Sequence, residues 1–142
     1  MTSHHWVCVC LVRKEALSLP WAINHLIKQW SVIKGFKSFT SQAIQRDSNN
    51  HNYYEKRGNA YLVEKKWQKA IEDYTQAIRI NPNNVIAYRN RGEARFNLGD
   101  IQGAIQDLRK AASLYQAQGK TYDYKVVQRR IIQLIIQLER QK

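Results

Sequence analysis

Two stretches of this 142-residue chain repeat one another at a step of 34 residues. Tyr54, Arg57, Gly58, Ala70, Asp73 and Ala77 recur as Tyr88, Arg91, Gly92, Ala104, Asp107 and Ala111. This period constrains the fold more than any other feature of the chain. It marks a stack of small units, each of which can bury its apolar face only against its neighbours. Such stacks usually present a surface to a partner rather than a catalytic pocket.

Each copy reads as two helices. In the first, spacing predicts a helix over about 52–64, with Tyr54, Gly58, Tyr61 and Leu62 three or four residues apart. A second follows over about 68–81, with Ala70, Ile71, Tyr74, Ala77 and Ile78 on one face. Asn81-Pro82-Asn83-Asn84 ends it, because proline disfavours helix at the residue before it and asparagine suits a turn. In the second copy Gly99-Asp100 supplies the turn between helices. The small residues let two antiparallel helices approach closely, and the aromatics fill the remaining grooves.

The pattern resembles the tetratricopeptide repeat, a 34-residue helix–turn–helix unit. Tyr54, Gly58, Tyr61, Ala70, Tyr74, Ala77 and Pro82 match its aromatic, small and closing positions. The second copy matches at Tyr88, Gly92, Ala104 and Ala111, and departs at Arg91, Arg95, Leu108 and Gln116. The resemblance implies an all-α solenoid of antiparallel helix pairs in a right-handed superhelix. The arginine departure at Arg57 is itself repeated, as is an aspartate sixteen residues on. Arg57 with Asp73 and Arg91 with Asp107 are therefore candidate ion pairs, the alternative being four solvated side chains.

A step of 34 backward from Ala77-Ile78 and Asn83-Asn84 lands on Ala43-Ile44 and Asn49-Asn50. A degenerate unit over 17–50 is expected, with its second helix about 35–46 and a first helix carrying Pro20, Trp21, Ile23, Leu26, Ile27 and Trp30. Phe39 lies one position before the place of Tyr74, and Phe36 stands at that of Ala70. Residues 1–16 form an N-terminal extension, for which disorder is one reading. Complete units span 51–84 and 85–118. Over 119–142, Tyr124, Val127, Ile131, Leu134 and Leu138 form an apolar seam, which predicts a capping helix. Val126, Ile132, Ile135 and Ile136 widen that seam, so a homodimer through the C-terminal helix is an alternative use of it.

The resemblance also implies that the first helix of each unit lines a concave groove. Carried onto this chain, the groove positions are Asn52, Glu55, Lys56, Asn59 and Leu62 in the first unit. In the second they are Ile86, Arg89, Asn90, Glu93, Phe96 and Asn97, and in the C-terminal helix Lys120, Asp123, Tyr124 and Val127. Amides, charges and apolar groups together suit an extended peptide, whose backbone needs donors and acceptors. Some family members hold the terminal carboxylate of chaperone tails in a lysine–asparagine–asparagine–lysine–arginine clamp. Asn59, Asn90 and Lys120 fall on three of its positions, but Glu55 and Tyr124 replace the first lysine and the arginine. A glutamate facing a carboxylate repels it, which argues against that ligand.

The expected function is a non-catalytic scaffold or adaptor that binds a protein or peptide partner, with no cofactor. His4, His5, His25 and His51 sit in no catalytic signature, and no phosphate loop or nucleophile elbow occurs. His4, His5, Cys8 and Cys10 lack the spacing of structural zinc knuckles. Cys8 and Cys10 are too close together for a comfortable disulfide, so a reducing, cytoplasmic setting is expected. The longest early apolar run, Trp6 to Val12, falls short of the ~18 residues of a membrane span. Net charge is +12, densest after residue 118. That makes nucleic-acid association through Lys120, Lys125, Arg129, Arg130, Arg140 and Lys142 the disfavoured alternative.

Overall fold

The computed structural model describes residues 20–141, with side chains from His25 onward. The expectations for residues 1–16, for His4, His5, Cys8 and Cys10, and for the side chains of Pro20, Trp21 and Ile23 lie outside the described residues. Those described form six α-helices and no strand: α1 (Pro20–Arg46), α2 (His51–Val63), α3 (Trp67–Ile80), α4 (Val85–Asn97), α5 (Ile101–Ala117) and α6 (Thr121–Glu139). The chain divides into two units between Gly35 and Phe36. The second carries the repeats.

Helices α2 and α4 begin at asparagine caps. The Asn50 side chain accepts from the Asn52 amide, and that of Asn84 from the Ala87 amide. Each cap sits in the same turn, 34 residues apart: Asp47 Oδ1 accepts from the Asn49 amide, as Asn81 Oδ1 does from that of Asn83. Helix α2 pairs with α3, α3 with α4, α4 with α5, and α5 with α6. The close approach falls where the small residues are. A Cβ on Gly58 would lie 2.9 Å from the Tyr74 ring, and one on Gly92 3.2 Å from the Ala104 carbonyl oxygen. Ala70, Tyr74, Ala77, Ala87 and Ala94 form one buried cluster. A larger one joins α5 to α6 through Ile105, Leu108, Ala112, Val127, Ile131 and Leu134.

Before the repeats, the structure differs from a helix–turn–helix reading. Helix α1 runs uninterrupted from Pro20 to Arg46, where the sequence suggested a turn before a helix at about 35–46. Gly35 is the only breaker in that stretch, and one helical glycine costs only about 1 kcal/mol. The residue at the place of Tyr74 is Thr40, which is fully buried, while Phe39 is exposed. Thr40 Oγ1 donates to the Phe36 and Lys37 carbonyls, so its hydroxyl is satisfied within the helix.

Candidate partner-binding face

The predicted ion pairs form, and they are not surface pairs. Arg57 Nε and Nη2 donate to the two oxygens of Asp73 at 2.8 and 2.7 Å, and Arg91 does the same to Asp107 at the same distances. Both aspartates are buried. The Asp73 carboxylate holds the Arg57 guanidinium above its ordinary pKa, outweighing the opposing effect of burial. The remaining Nη1 reaches a hydroxyl on the preceding helix, Ser41 for Arg57 and Thr75 for Arg91. Each guanidinium also lies over a tyrosine of its own helix, Tyr54 or Tyr88. These clusters fix α2 on α3 and α4 on α5, which leaves one side of α2, α4 and α6 to form a common face.

Hydrogen bonds between those alternate helices define that face. At its centre Asn59 Oδ1 accepts from the Asn90 amide at 3.0 Å and from the Tyr74 hydroxyl at 2.6 Å. Burial pushes the Tyr74 hydroxyl pKa up, so it stays a neutral donor. At one end Glu93 receives two bonds from Arg130 of α6, at 2.9 and 2.8 Å, and the guanidinium lies 4.6 Å over the Phe96 ring. The Glu93 carboxylate raises the pKa of Arg130. Asn97 turns back to donate to the Glu93 carbonyl.

At the other end a cleft of ≈ 350 Å³ brings together five predicted residues: Asn52, Glu55, Ile86, Lys120 and Asp123. It also contains Asn81, Asn83 and Asn84, which the sequence marks only as a turn. Asn84 donates to Glu55 at 2.7 Å, and its amide and that of Asn81 both contact the His51 ring. Tyr115 and Gln118 complete the wall. The asparagine run was the available signal for Asn81 and Asn84, but it signals a turn equally well.

Among the other predicted residues, Lys56, Arg89 and Asn97 are exposed, and Leu62 and Tyr124 are half-buried against the two cores. Val127 is a correction. It is buried against α5 rather than open to a groove, because the seam that docks α6 runs through it. Among the described residues no group of three His, Cys, Asp or Glu could hold a metal ion, and no helix is long and apolar enough to cross a membrane.

The family model described as "Tetratricopeptide repeat" matches residues 58–137. Outer envelope protein 64, chloroplastic, of Arabidopsis thaliana is 47% identical over 85 residues, which is 60% of this chain and 14% of that protein. The solved Arabidopsis OM64 TPR domain is 32% identical, covers 77% of this chain and 88% of its own, and superposes with a TM-score of 0.64. The second TPR of Spaghetti (RPAP3), solved bound to the HSP90 peptide SRMEEVD, is 30% identical with a TM-score of 0.58, covering 64% of this chain and 83% of its own. The chain spans about a third or less of the length of the first curated relatives it matches.

Proposed function

The chain belongs to the tetratricopeptide repeat family, and from that premise we propose that it is a non-catalytic interaction module holding an extended peptide of a partner protein across α2, α4 and α6. The observation that carries this reading is the line of polar groups contributed by all three helices. It runs from the Asn52–Glu55–Lys120 cleft through the Asn59–Asn90 pair to the Glu93–Arg130 pair. Amides in such a line can meet the donors and acceptors of a peptide backbone, and Ile86 and Phe96 offer apolar contacts to side chains. The Spaghetti relative supports a peptide as the class of ligand.

Ligand chemistry follows from Glu55 and Tyr124. Glu55 and Asp123 both line the cleft, two carboxylates against the one ammonium of Lys120. A free acidic C-terminus is therefore disfavoured, and a neutral or basic segment is favoured. Part of the same proposal is that residues 36–50 serve as the worn second helix and turn of a preceding unit, and that the module works in the cytoplasm. The nucleic-acid alternative draws no support from Arg130, whose charge is engaged by Glu93. Calorimetric titration tests the ligand class. An acidic C-terminal pentapeptide is expected to bind the wild-type chain at least tenfold more weakly than a Glu55→Lys, Tyr124→Arg variant. Equal binding by both would remove the assignment of Glu55 and Tyr124.

A further inference from the structure

The 34-residue register continues into α6. Tyr54 and Tyr88 lead to Tyr122, Arg57 and Arg91 to Lys125, Gly58 and Gly92 to Val126, and Tyr61 and Arg95 to Arg129. In the two complete units these positions face the second helix. There the tyrosines and arginines are half-buried, the glycines are buried, and an aspartate of the second helix meets the arginine. In α6 the same positions lie open: Tyr122 is 79% exposed, Val126 is 44% exposed, and Lys125 and Arg129 are exposed. Ile136 extends the open strip by two turns and is 48% exposed.

The chain does not fold back to cover this strip within the described residues. Helices α2 and α4 stop after 13 residues, near Lys65 and Gly99 in the left-handed conformation. Gln133 occupies that place in α6, and the helix continues to Glu139. We infer that this open face of α6 is a second docking site, distinct from the peptide-binding face, for an amphipathic helix of a partner that carries a carboxylate opposite Lys125 and Arg129. The occupant sits on α6 as α3 sits on α2 and α5 on α4.

Charge complementarity selects the occupant. The strip presents Lys125, Arg129 and Arg140 as cations against one exposed carboxylate, Glu139, at its far end, so a second copy of the same strip would set more like charges than unlike against one another. An acidic helix finds partners there, as Asp107 does with Arg91 and Arg95. Val126 in place of glycine keeps the incoming helix from approaching as closely as Tyr74 approaches Gly58, so the residue opposite Val126 should be small.

The probe is built on the chain's own second helix. An acetylated, amidated peptide with the α5 sequence, Ile101–Ala117, carrying Leu108→Ala to meet Val126 and Arg109→Gln with Lys110→Gln so that Asp107 leaves it acidic, is titrated into the full isotope-labelled chain and followed by NMR. A free peptide of this length is marginally helical, so the same sequence is also fused after Lys142 through a flexible linker, which raises its effective concentration to about the millimolar range. Resonance shifts at Tyr122, Val126 and Ile136 are expected. Binding should weaken tenfold or more with Lys125→Glu plus Arg129→Glu, and several-fold with Asp107→Asn in the peptide. Three results overturn the proposal: no shifts in either format, shifts centred on Asn59 and Asn90, or binding that survives the charge reversal. Self-association of the unmodified chain through these α6 residues, detected by light scattering, would assign the face to a second copy instead.

Discussion

Arg57 holds Asp73 by two parallel hydrogen bonds across the α2–α3 interface, and the side chain of Asp73 is 7% exposed. Removing one partner of such a pair strands a buried charge, whereas removing both need not. Arg57→Met is therefore expected to lower unfolding free energy by about 3–5 kcal/mol, and Arg57→Met with Asp73→Leu by much less. Urea denaturation of the two variants and of Asp73→Leu closes the cycle. Additive losses would mean that the two side chains are energetically independent.

Gly58 and Gly35 should respond oppositely to alanine. A Cβ at Gly58 meets the Tyr74 ring at 2.9 Å, while one at Gly35 meets nothing within 4 Å. Gly58→Ala should cost about 1–3 kcal/mol through overpacking. Gly35→Ala should be neutral, or stabilise by up to about 1 kcal/mol through helix propensity. Thermal melts of both variants decide it, and a stable Gly58→Ala protein would place the helices farther apart than described.

Lys65 takes the left-handed turn position, with φ 57, that Gly99 fills at φ 87 in the next unit. Both turns close with the same backbone bonds, Lys65 N–H to the Leu62 carbonyl and Gly99 N–H to that of Phe96, each 2.9 Å. The left-handed conformation costs a residue with a Cβ roughly 1–2 kcal/mol, part of which glycine returns as unfolded-state entropy. Lys65→Gly should raise the melting temperature by a few degrees, and Gly99→Lys should lower it. Shifts of the same sign would show that the two turns are not equivalent.

Much of this was legible because the repeat supplies its own alignment. The Arg57–Asp73 pair follows from a spacing that occurs twice, and Gly58 and Gly92 mark the close approach before any coordinates exist. What was not legible depends on contacts outside the period. Arg130 reaches Glu93 from 37 residues away, between helices of different units, and no repeated spacing announces it. Hydrophobicity misled at Phe39, where register alone would have chosen Thr40 for the buried place. Val127 looked equally suited to groove and seam, and only the rotation of α6 on α5 decides between them.

Glu64, at the end of α2, is almost wholly buried between two cations, Lys37 of α1 and Lys66 at 2.8 Å. The Lys37 ammonium first, then that of Lys66, holds its carboxyl below the ordinary glutamate range despite burial. A folded-state pKa below the unfolded one means that the contribution is present above the ordinary value of about 4.3 and is lost as pH falls through the folded value. Stability should therefore decline on acidification below about pH 5, and Glu64→Gln should flatten part of that decline. Urea midpoints between pH 3 and 7 measure it. Parallel curves for wild type and variant would remove Glu64 from the acid response.

The most direct test of the account asks whether the α2–α4–α6 face binds peptide. A random peptide library displayed on phage is panned against the full chain, and selected peptides are titrated by calorimetry. Asn90→Ala with Lys120→Ala is the informative variant, because Asn59→Ala would also strand the buried Tyr74 hydroxyl that Asn59 accepts from. A peptide-binding α2–α4–α6 face yields peptides of micromolar affinity that lose at least tenfold in this variant while its melting temperature stays near wild type. Peptides that bind wild type and variant alike, or a library yielding no binders, would contradict it.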